Sequence, residues 1–194
     1  MNNVLRKLIL STMLVVTLNS CATVVTSLTA GLAEDLSWSI LNSNDVETVR
    51  EAIPAYLVML DSFLRGSPDD PALLMAASSL NGALAIFTDD NRAKLLTTKS
   101  LKYSMAAACV TKQSLCGLNE AKFNAMKVEV DQLTLKDVAV AYTVAVAWAA
   151  WIQANSDDWN AIAQLSQVKY LMNRVIELDE TWDNGGPHLY MGGL

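Results

Sequence analysis

Almost every stretch of this chain repeats apolar residues at a spacing of three or four, and this periodicity limits the fold more than any other feature. One stretch carries Leu73, Ala77, Leu80, Leu84 and Phe87. This spacing places apolar side chains on one face of an α-helix, whereas a strand alternates at every second residue. No segment alternates convincingly. Short polar turns separate the segments, which favours antiparallel neighbouring helices. The sequence therefore predicts an all-α protein.

A weak internal repeat favours stacked helix pairs over a simple bundle. Residues 59–61 lead through a polar turn to Pro71 and an apolar first turn, and residues 176–179 lead to Pro187 in the same way. Helix, polar turn and proline-started helix form the pattern of tetratricopeptide-type repeats. We therefore predict stacked antiparallel helix pairs of tetratricopeptide-repeat type, an α-solenoid, in a degenerate repeat domain over residues 45–194.

The beginning of the chain has the features of a bacterial secretory signal. Arg6 and Lys7 precede an apolar stretch over residues 8–18. That stretch is too short to span a bilayer, which takes roughly 20 residues. A positive start followed by a short apolar region is typical of a signal peptide, which we predict over residues 1–20.

A lipobox-like sequence follows the apolar stretch directly. Residues 18–21 run from leucine to Cys21, the cysteine that would be lipidated and become the new N-terminus. An ordinary signal peptide that happens to contain a cysteine is the alternative. We predict lipidation at Cys21 and a lipid-anchored N-terminal helix over residues 21–44. Because Ala22 rather than aspartate follows the cysteine, sorting conventions favour the periplasmic face of the outer membrane.

The negative charge of the chain disfavours two classes of partner. Removing residues 1–20 takes away two basic residues and no acidic one, so the formal net charge falls from −6 to −8. An acidic surface disfavours nucleic acid and anionic lipid headgroups.

Two cysteines remain beyond the predicted anchor, Cys109 and Cys116. Along one continuous helix, seven residues separate them by about 10 Å, which is too far for a disulfide. A helix end near Gly117 would fold Cys116 back towards its partner. An oxidising compartment would then allow the bond. The alternative is two small buried apolar side chains, and both interpretations remain open.

The sequence lacks the combinations of residues on which catalysis and metal binding usually depend. His188 is the single histidine, so it cannot form a two-histidine metal site. Three Asp-Asp pairs each precede a predicted helix, where aspartate caps free backbone amides. These pairs are residues 69–70, 89–90 and 157–158. We predict a protein that is not an enzyme, with no metal and no cofactor.

One apolar helix, residues 139–152, carries most of the candidate binding residues. Trp148 and Trp151 share one of its faces with valine, and Tyr142 lies to another side. The helix is either a central core helix or one wall of an apolar cleft whose aromatic tips hydrogen-bond a ligand. The two interpretations are compatible.

Several segments together carry a family resemblance. They are residues 49–61, 66–71, 139–152, 168–172 and 178–192. Their proline, glycine and aromatic motifs resemble the T component of TRAP transporters, a family of tetratricopeptide-repeat lipoproteins. The resemblance runs from about Asp45 to the last residue.

The resemblance implies a periplasmic lipoprotein associated with the solute-binding P component of a tripartite, ATP-independent transporter. It also implies homo-oligomers and an apolar cleft for a hydrophobic small molecule, with Tyr142, Trp148 and Trp151 in that cleft. It assigns catalysis to no residue. Since related proteins continue through further helix pairs, we expect the repeat domain to be incomplete at its C-terminal end. The competing hypothesis is a repeat lipoprotein that scaffolds envelope protein assembly and binds no small molecule.

Overall fold

The computed structural model of the protein describes residues 31, 35, 38–40 and 42–193. Helices account for most of these residues, and no strand occurs among them. The prediction of an all-α protein is confirmed, and the packing of its helices agrees with a solenoid-like arrangement. The predicted signal peptide, Cys21 and most of the predicted anchor helix lie outside the described residues.

Eight helices follow one another along the described part of the chain. They are α1 Val46–Gly66, α2 Pro71–Ala85, α3 Asp90–Thr111, α4 Phe123–Asp131, α5 Val138–Ala154, α6 Trp159–Ile162, α7 Leu165–Leu178 and α8 Trp182–Gly193. Two short 3-10 turns, Gln113–Leu115 and Leu135–Asp137, precede α4 and α5. The α8 segment contains left-handed backbone at Asp183, Asn184 and Gly185, so its regular part begins after this turn.

Aspartates of the Asp-Asp pairs start three of the helices. The Asp70 carboxylate accepts hydrogen bonds from the backbone N–H groups of α2, and Asp89 and Asp158 do the same for α3 and α6. Each bond satisfies an N–H that has no partner within its helix. One aspartate of each pair therefore caps a helix, as predicted. No cluster of three or more potential metal ligands occurs in the described part of the chain.

The helices pack in an antiparallel succession, with α3 and α5 at its centre. Helix α2 packs on α1 and α3, α3 on α5, and α5 on α7. Ion pairs join both ends of the α3–α5 pair: Lys112 lies 3.6 Å from Asp137, and Lys94 lies 2.8 Å from Asp157. These pairs show that the two helices run in opposite directions.

Small residues let α2 and α3 approach closely. Ser78 Oγ donates to the backbone carbonyl of Ser100 at 2.9 Å, and Ser100 Oγ donates to that of Ser78 at 2.8 Å. Both serines are buried. Because each buried hydroxyl has an acceptor, neither incurs the cost of an unsatisfied polar group.

Helix α5 is the central core helix. With its preceding turn, residues 135–154, it is long and apolar enough to cross a membrane by length and composition. However, 56% of the tested window is buried inside the protein, and its buried residues include Val144, Ala145 and Trp148. A helix that is apolar on all sides is expected where neighbours cover it on all sides.

Cys109 lies in the last turn of α3, and Cys116 lies in the connection that follows this helix. In the structure the sulfur atoms of Cys109 and Cys116 are bonded, and their Cα atoms are 4.3 Å apart. The chain turns back after Lys112 through the 3-10 turn, and Gly117 adopts a positive φ of 68°. The loop that this bond closes also carries Leu115, which is buried.

We expect removal of this bond to destabilise the protein. Replacing both Cys109 and Cys116 with serine should lower the free energy of unfolding by about 2 kcal/mol, because the unfolded chain regains the entropy of a short closed loop. Urea unfolding with and without reductant measures this. The reductant should shift the wild-type midpoint and leave the double variant unchanged. Two reactive thiols in the unreduced wild-type protein would contradict the pairing.

Candidate functional site: an open groove between α1 and α3

A groove of about 640 Å³ lies between α1 and α3, with α2 as its floor. Its apolar lining comes from all three helices: Pro54, Leu57, Val58, Leu84, Leu95 and Leu96. Leu84 and Leu96 are buried, whereas Val58 is 72% and Leu95 58% exposed. The groove is therefore open to solvent along its side. Its walls offer uncovered apolar surface on both α1 and α3.

Charged residues surround this apolar lining. Asp61 and Asp89 contribute carboxylates, and Arg92 and Lys99 contribute cations from α3. Asp89 is engaged with the Arg92 backbone N–H at 3.0 Å. Neither Arg92 nor Lys99 forms an ion pair within the part of the chain that the structure describes. Both cations remain available to a bound group.

Asp61 is held in place by a tyrosine of α3. The Tyr103 hydroxyl donates to Asp61 Oδ1 at 2.9 Å. Partial burial, with a further contribution from this carboxylate, raises the pKa of Tyr103 to about 12. A tyrosine with the usual pKa of about 10 is already protonated at neutral pH, so the Tyr103 hydroxyl donates this bond there. The hydrogen bond joins α1 to α3 beside the groove, which Asp61 lines.

The structure does not bring Tyr142, Trp148 and Trp151 to this groove. Trp148 is 0% exposed, and its Nε1 donates to Gln164 Oε1 at 2.8 Å. In the structure it belongs to the core, and its N–H is already satisfied. Trp151 is half-buried and packs against the core cluster.

Tyr142 lies against α8. Its hydroxyl donates to Asp183 Oδ2 at 2.9 Å, and its ring packs edge-to-face on Tyr190 with centroids 6.1 Å apart. Burial first, and then the Asp183 carboxylate, raises the pKa of Tyr142 above its usual value. The Tyr142 hydroxyl, which is predicted to contact a ligand, donates to Asp183 and so joins α8 to α5. His188, on the same helix, is exposed.

The chain is similar to a known protein family. The family described as TRAP transporter T-component matches residues 42–194. The chain belongs to this family. The predicted resemblance is confirmed, and the matched range contains all eight helices and the groove. No curated protein and no solved structure matches the chain.

Membership of the T-component family associates the chain with a TRAP transporter. It also indicates a membrane-associated or periplasmic location. T components are transporter-associated proteins rather than a known family of enzymes.

Two pairs of adjacent apolar residues line the groove of this T component, and helical periodicity alone does not point to them. Adjacent residues of a helix point about 100° apart, and α3 carries Leu95 beside Leu96 while α1 carries Val58 beside Leu57. In each pair, one side chain faces more towards the core and the other faces outwards. All four side chains line the groove, and Leu95 and Val58 are its exposed members.

Proposed function

We propose that this T component is a non-catalytic lipoprotein that docks the solute-binding P component of a TRAP transporter and holds or passes an apolar organic ligand. The groove between α1 and α3 is the proposed ligand site. The observation that carries the proposal is uncovered apolar surface on both walls of this groove, at Val58 and Leu95, in a transporter-associated family.

The groove has the size and lining that a small apolar ligand needs. Ligand sites usually measure about 300–1,000 Å³ and combine a mainly apolar lining with a few polar groups, and this groove measures about 640 Å³. The floor residues Leu84 and Leu96 are buried by the protein itself. A ligand would remove the outer apolar residues from water, which is favourable in proportion to the area covered.

The proposed anchoring follows from the sequence. Cleavage after residue 20 and lipidation of Cys21 would hold the protein at the periplasmic face of the envelope, in the outer membrane. Several acyl chains on one cysteine suffice for stable anchoring. Association into homo-oligomers belongs to the same proposal.

The alternative is a scaffold for envelope proteins that binds no small molecule. The open side of the groove favours it, because Val58 and Leu95 are accessible to a protein surface as well as to a small ligand. The core position of Trp148 favours it too, since the aromatic helix then provides no cleft of its own.

A neutral apolar fluorescent probe distinguishes the two functions. We expect N-phenylnaphthylamine to bind the purified protein, and Leu95→Asn to weaken binding about tenfold, because one uncovered leucine contributes about 1.5 kcal/mol. Leu135→Asn is the matched control, because Leu135 is 64% exposed and lies away from the groove. A probe that binds the wild type and both variants equally, or none of them, would favour the scaffold.

Cross-linking in intact cells tests the transporter association. Mild cross-linking, detergent extraction and mass spectrometry should identify a periplasmic TRAP solute-binding protein as the main partner. Recovery of envelope assembly proteins in its place would contradict the proposed docking.

A further inference from the structure

One polar side chain interrupts the buried face of α2 where this helix forms the floor of the groove. Asn81 is 4% exposed, and its neighbours on the same helix, Leu80 and Leu84, are also buried. Asn81 and Leu84 both line the groove. Asparagine is mostly exposed in proteins, and a buried amide usually has hydrogen-bond partners. The partners of Asn81 therefore indicate what its position requires.

The fold itself uses only part of the Asn81 amide. Its Nδ2 donates to the backbone carbonyl oxygen of Ala77 at 2.7 Å. This bond fixes the orientation of the amide, because Oδ1 has no proton to donate. Within the part of the chain that the structure describes, Oδ1 accepts no hydrogen bond and Nδ2 donates no second one. Asn81 thus has one acceptor and one donor left over.

The unused amide oxygen faces open space. Among the described residues, Arg174 Nε is the only fully buried side-chain N or O atom that lacks a hydrogen bond. Asn81 Oδ1 also lacks a partner there, so it is not fully buried. The open space that Asn81 borders is the groove. Oδ1 is therefore accessible to a molecule in the groove.

The other buried polar residues of α2 and α3 are satisfied within the fold. They are Ser78, Thr97, Ser100 and Ser104, and each hydroxyl donates to a backbone carbonyl oxygen. None of them lines the groove. Asn81 is thus the buried polar residue of these two helices that the groove exposes.

The charged residues of the groove do not select for a charged ligand. Two carboxylates, Asp61 and Asp89, and two cations, Arg92 and Lys99, line it, so their formal charges cancel. All four residues are exposed, and exposed charges interact weakly because water screens them. A carboxylate in the ligand would also leave Asn81 Oδ1 unpaired, because it has no proton to donate.

We propose that the ligand of this groove is an apolar alcohol whose hydroxyl binds the Asn81 amide. The inference rests on the proposed function, since it names the class of ligand for the same groove. A hydroxyl can donate to Oδ1 and accept from the free N–H of Nδ2, while the hydrocarbon part covers Val58 and Leu95. A ligand without a donor would displace water from Oδ1 and leave this acceptor unpaired, which costs free energy. Asn81 therefore determines the specificity of the groove.

Three naphthalene derivatives test this preference. They are 2-naphthol, its methyl ether and 2-naphthoate, and the naphthol is uncharged at neutral pH. Equilibrium dialysis of the purified full chain, corrected with protein-free detergent, gives each affinity. A purely apolar groove would favour the ether, which is more apolar than the naphthol. We expect the wild type to bind 2-naphthol about fivefold more tightly than the ether, because only the naphthol donates to Oδ1.

Two variants assign the preference to Asn81. Asn81→Leu nearly keeps the size of the side chain and removes both the acceptor and the donor, so it should bind the ether more tightly than 2-naphthol. Thr97→Val is the matched control. Thr97 is 3% exposed and donates to the backbone of its own helix as Asn81 does, but it does not line the groove, so this variant should keep the wild-type order. Circular dichroism checks that both variants fold, and the wild-type order tests the alcohol even if Asn81→Leu does not.

Each contrary result has a distinct meaning. If the wild type binds the ether as tightly as 2-naphthol, the alcohol is refuted and the proposed apolar ligand remains. If folded Asn81→Leu still prefers 2-naphthol, the assignment to Asn81 is refuted. If 2-naphthoate binds most tightly and Lys99→Gln removes that advantage, the groove selects an anion, which overturns the inference. If none of the three binds, the proposed ligand function fails together with the inference.

Discussion

Replacing Trp148 with alanine should lower the free energy of unfolding by about 3–5 kcal/mol. Trp148 is 0% exposed and is the largest fully buried side chain in the described part of the chain. Its removal leaves a cavity beside the middle of α5, and the surrounding helices can relax into that cavity only in part. The change also removes the hydrogen bond to Gln164, so the amide of that residue must find another partner.

Urea unfolding followed by circular dichroism measures this effect. Trp159→Ala is the matched control, because the same substitution at an 85% exposed position should change stability by about 0.5 kcal/mol or less. Gln164→Ala should cost about 1–3 kcal/mol, since it leaves the buried indole N–H without its acceptor. If Trp148→Ala were as stable as Trp159→Ala, the placement of the aromatic helix in the core would be refuted.

The core position of Trp148 affects how ligand-binding experiments on its variants are interpreted. Loss of ligand binding in Trp148→Ala would report damage to the core, because the side chain does not line the groove. Substitutions at the exposed groove residues Val58 and Leu95 separate binding from stability.

Periodicity and capping chemistry sufficed to predict the helical fold from the sequence. The stripe from Leu73 to Leu84 became the buried face of α2, and aspartates of the predicted pairs cap α2, α3 and α6. Apolar periodicity did not predict the break between α6 and α7, which lies near Ile162. The apolar spacing continues through the break between α6 and α7, because residues on both sides of the break still face one core.

The candidate site is harder to predict from the sequence than the fold is, for a physical reason. Composition showed that α5 is rich in tryptophan and alanine, but burial depends on how many neighbours surround a helix. Helix α5 packs against α3 on one side and α7 on another, so these neighbours bury Trp148. The groove forms where α1 and α3 diverge over α2. Their relative position is a tertiary property, and a pair such as Leu95 and Leu96 only hints at it.

The second large effect is expected at Gly186, where α8 passes close to α5. A Cβ atom at this position would lie 2.4 Å from Tyr142 Oη and 2.9 Å from Asp183 Oδ2. Both atoms belong to the hydrogen bond that holds α8 on α5. Gly186→Ala should therefore force this pair apart and destabilise the protein by about 2–3 kcal/mol, as overpacking in a constrained contact does.

Two other glycines of α8 separate the possible causes. A Cβ at Gly192 meets nothing within 4 Å, so Gly192→Ala should be neutral or slightly stabilising, because alanine favours helix. Gly185 also has open space but a φ of +83°. Gly185→Ala should cost about 1–2 kcal/mol through backbone strain alone. Thermal unfolding of the three variants compares packing, strain and propensity within one segment.

A double variant then identifies the atom responsible. Tyr142→Phe removes the hydroxyl oxygen that lies closest to the added Cβ, so Gly186→Ala should cost less in that background than in the wild type. A coupling of about 0.5–3 kcal/mol is typical of residues in direct contact. If the two substitutions were strictly additive, the close approach of Gly186 to Tyr142 would be refuted.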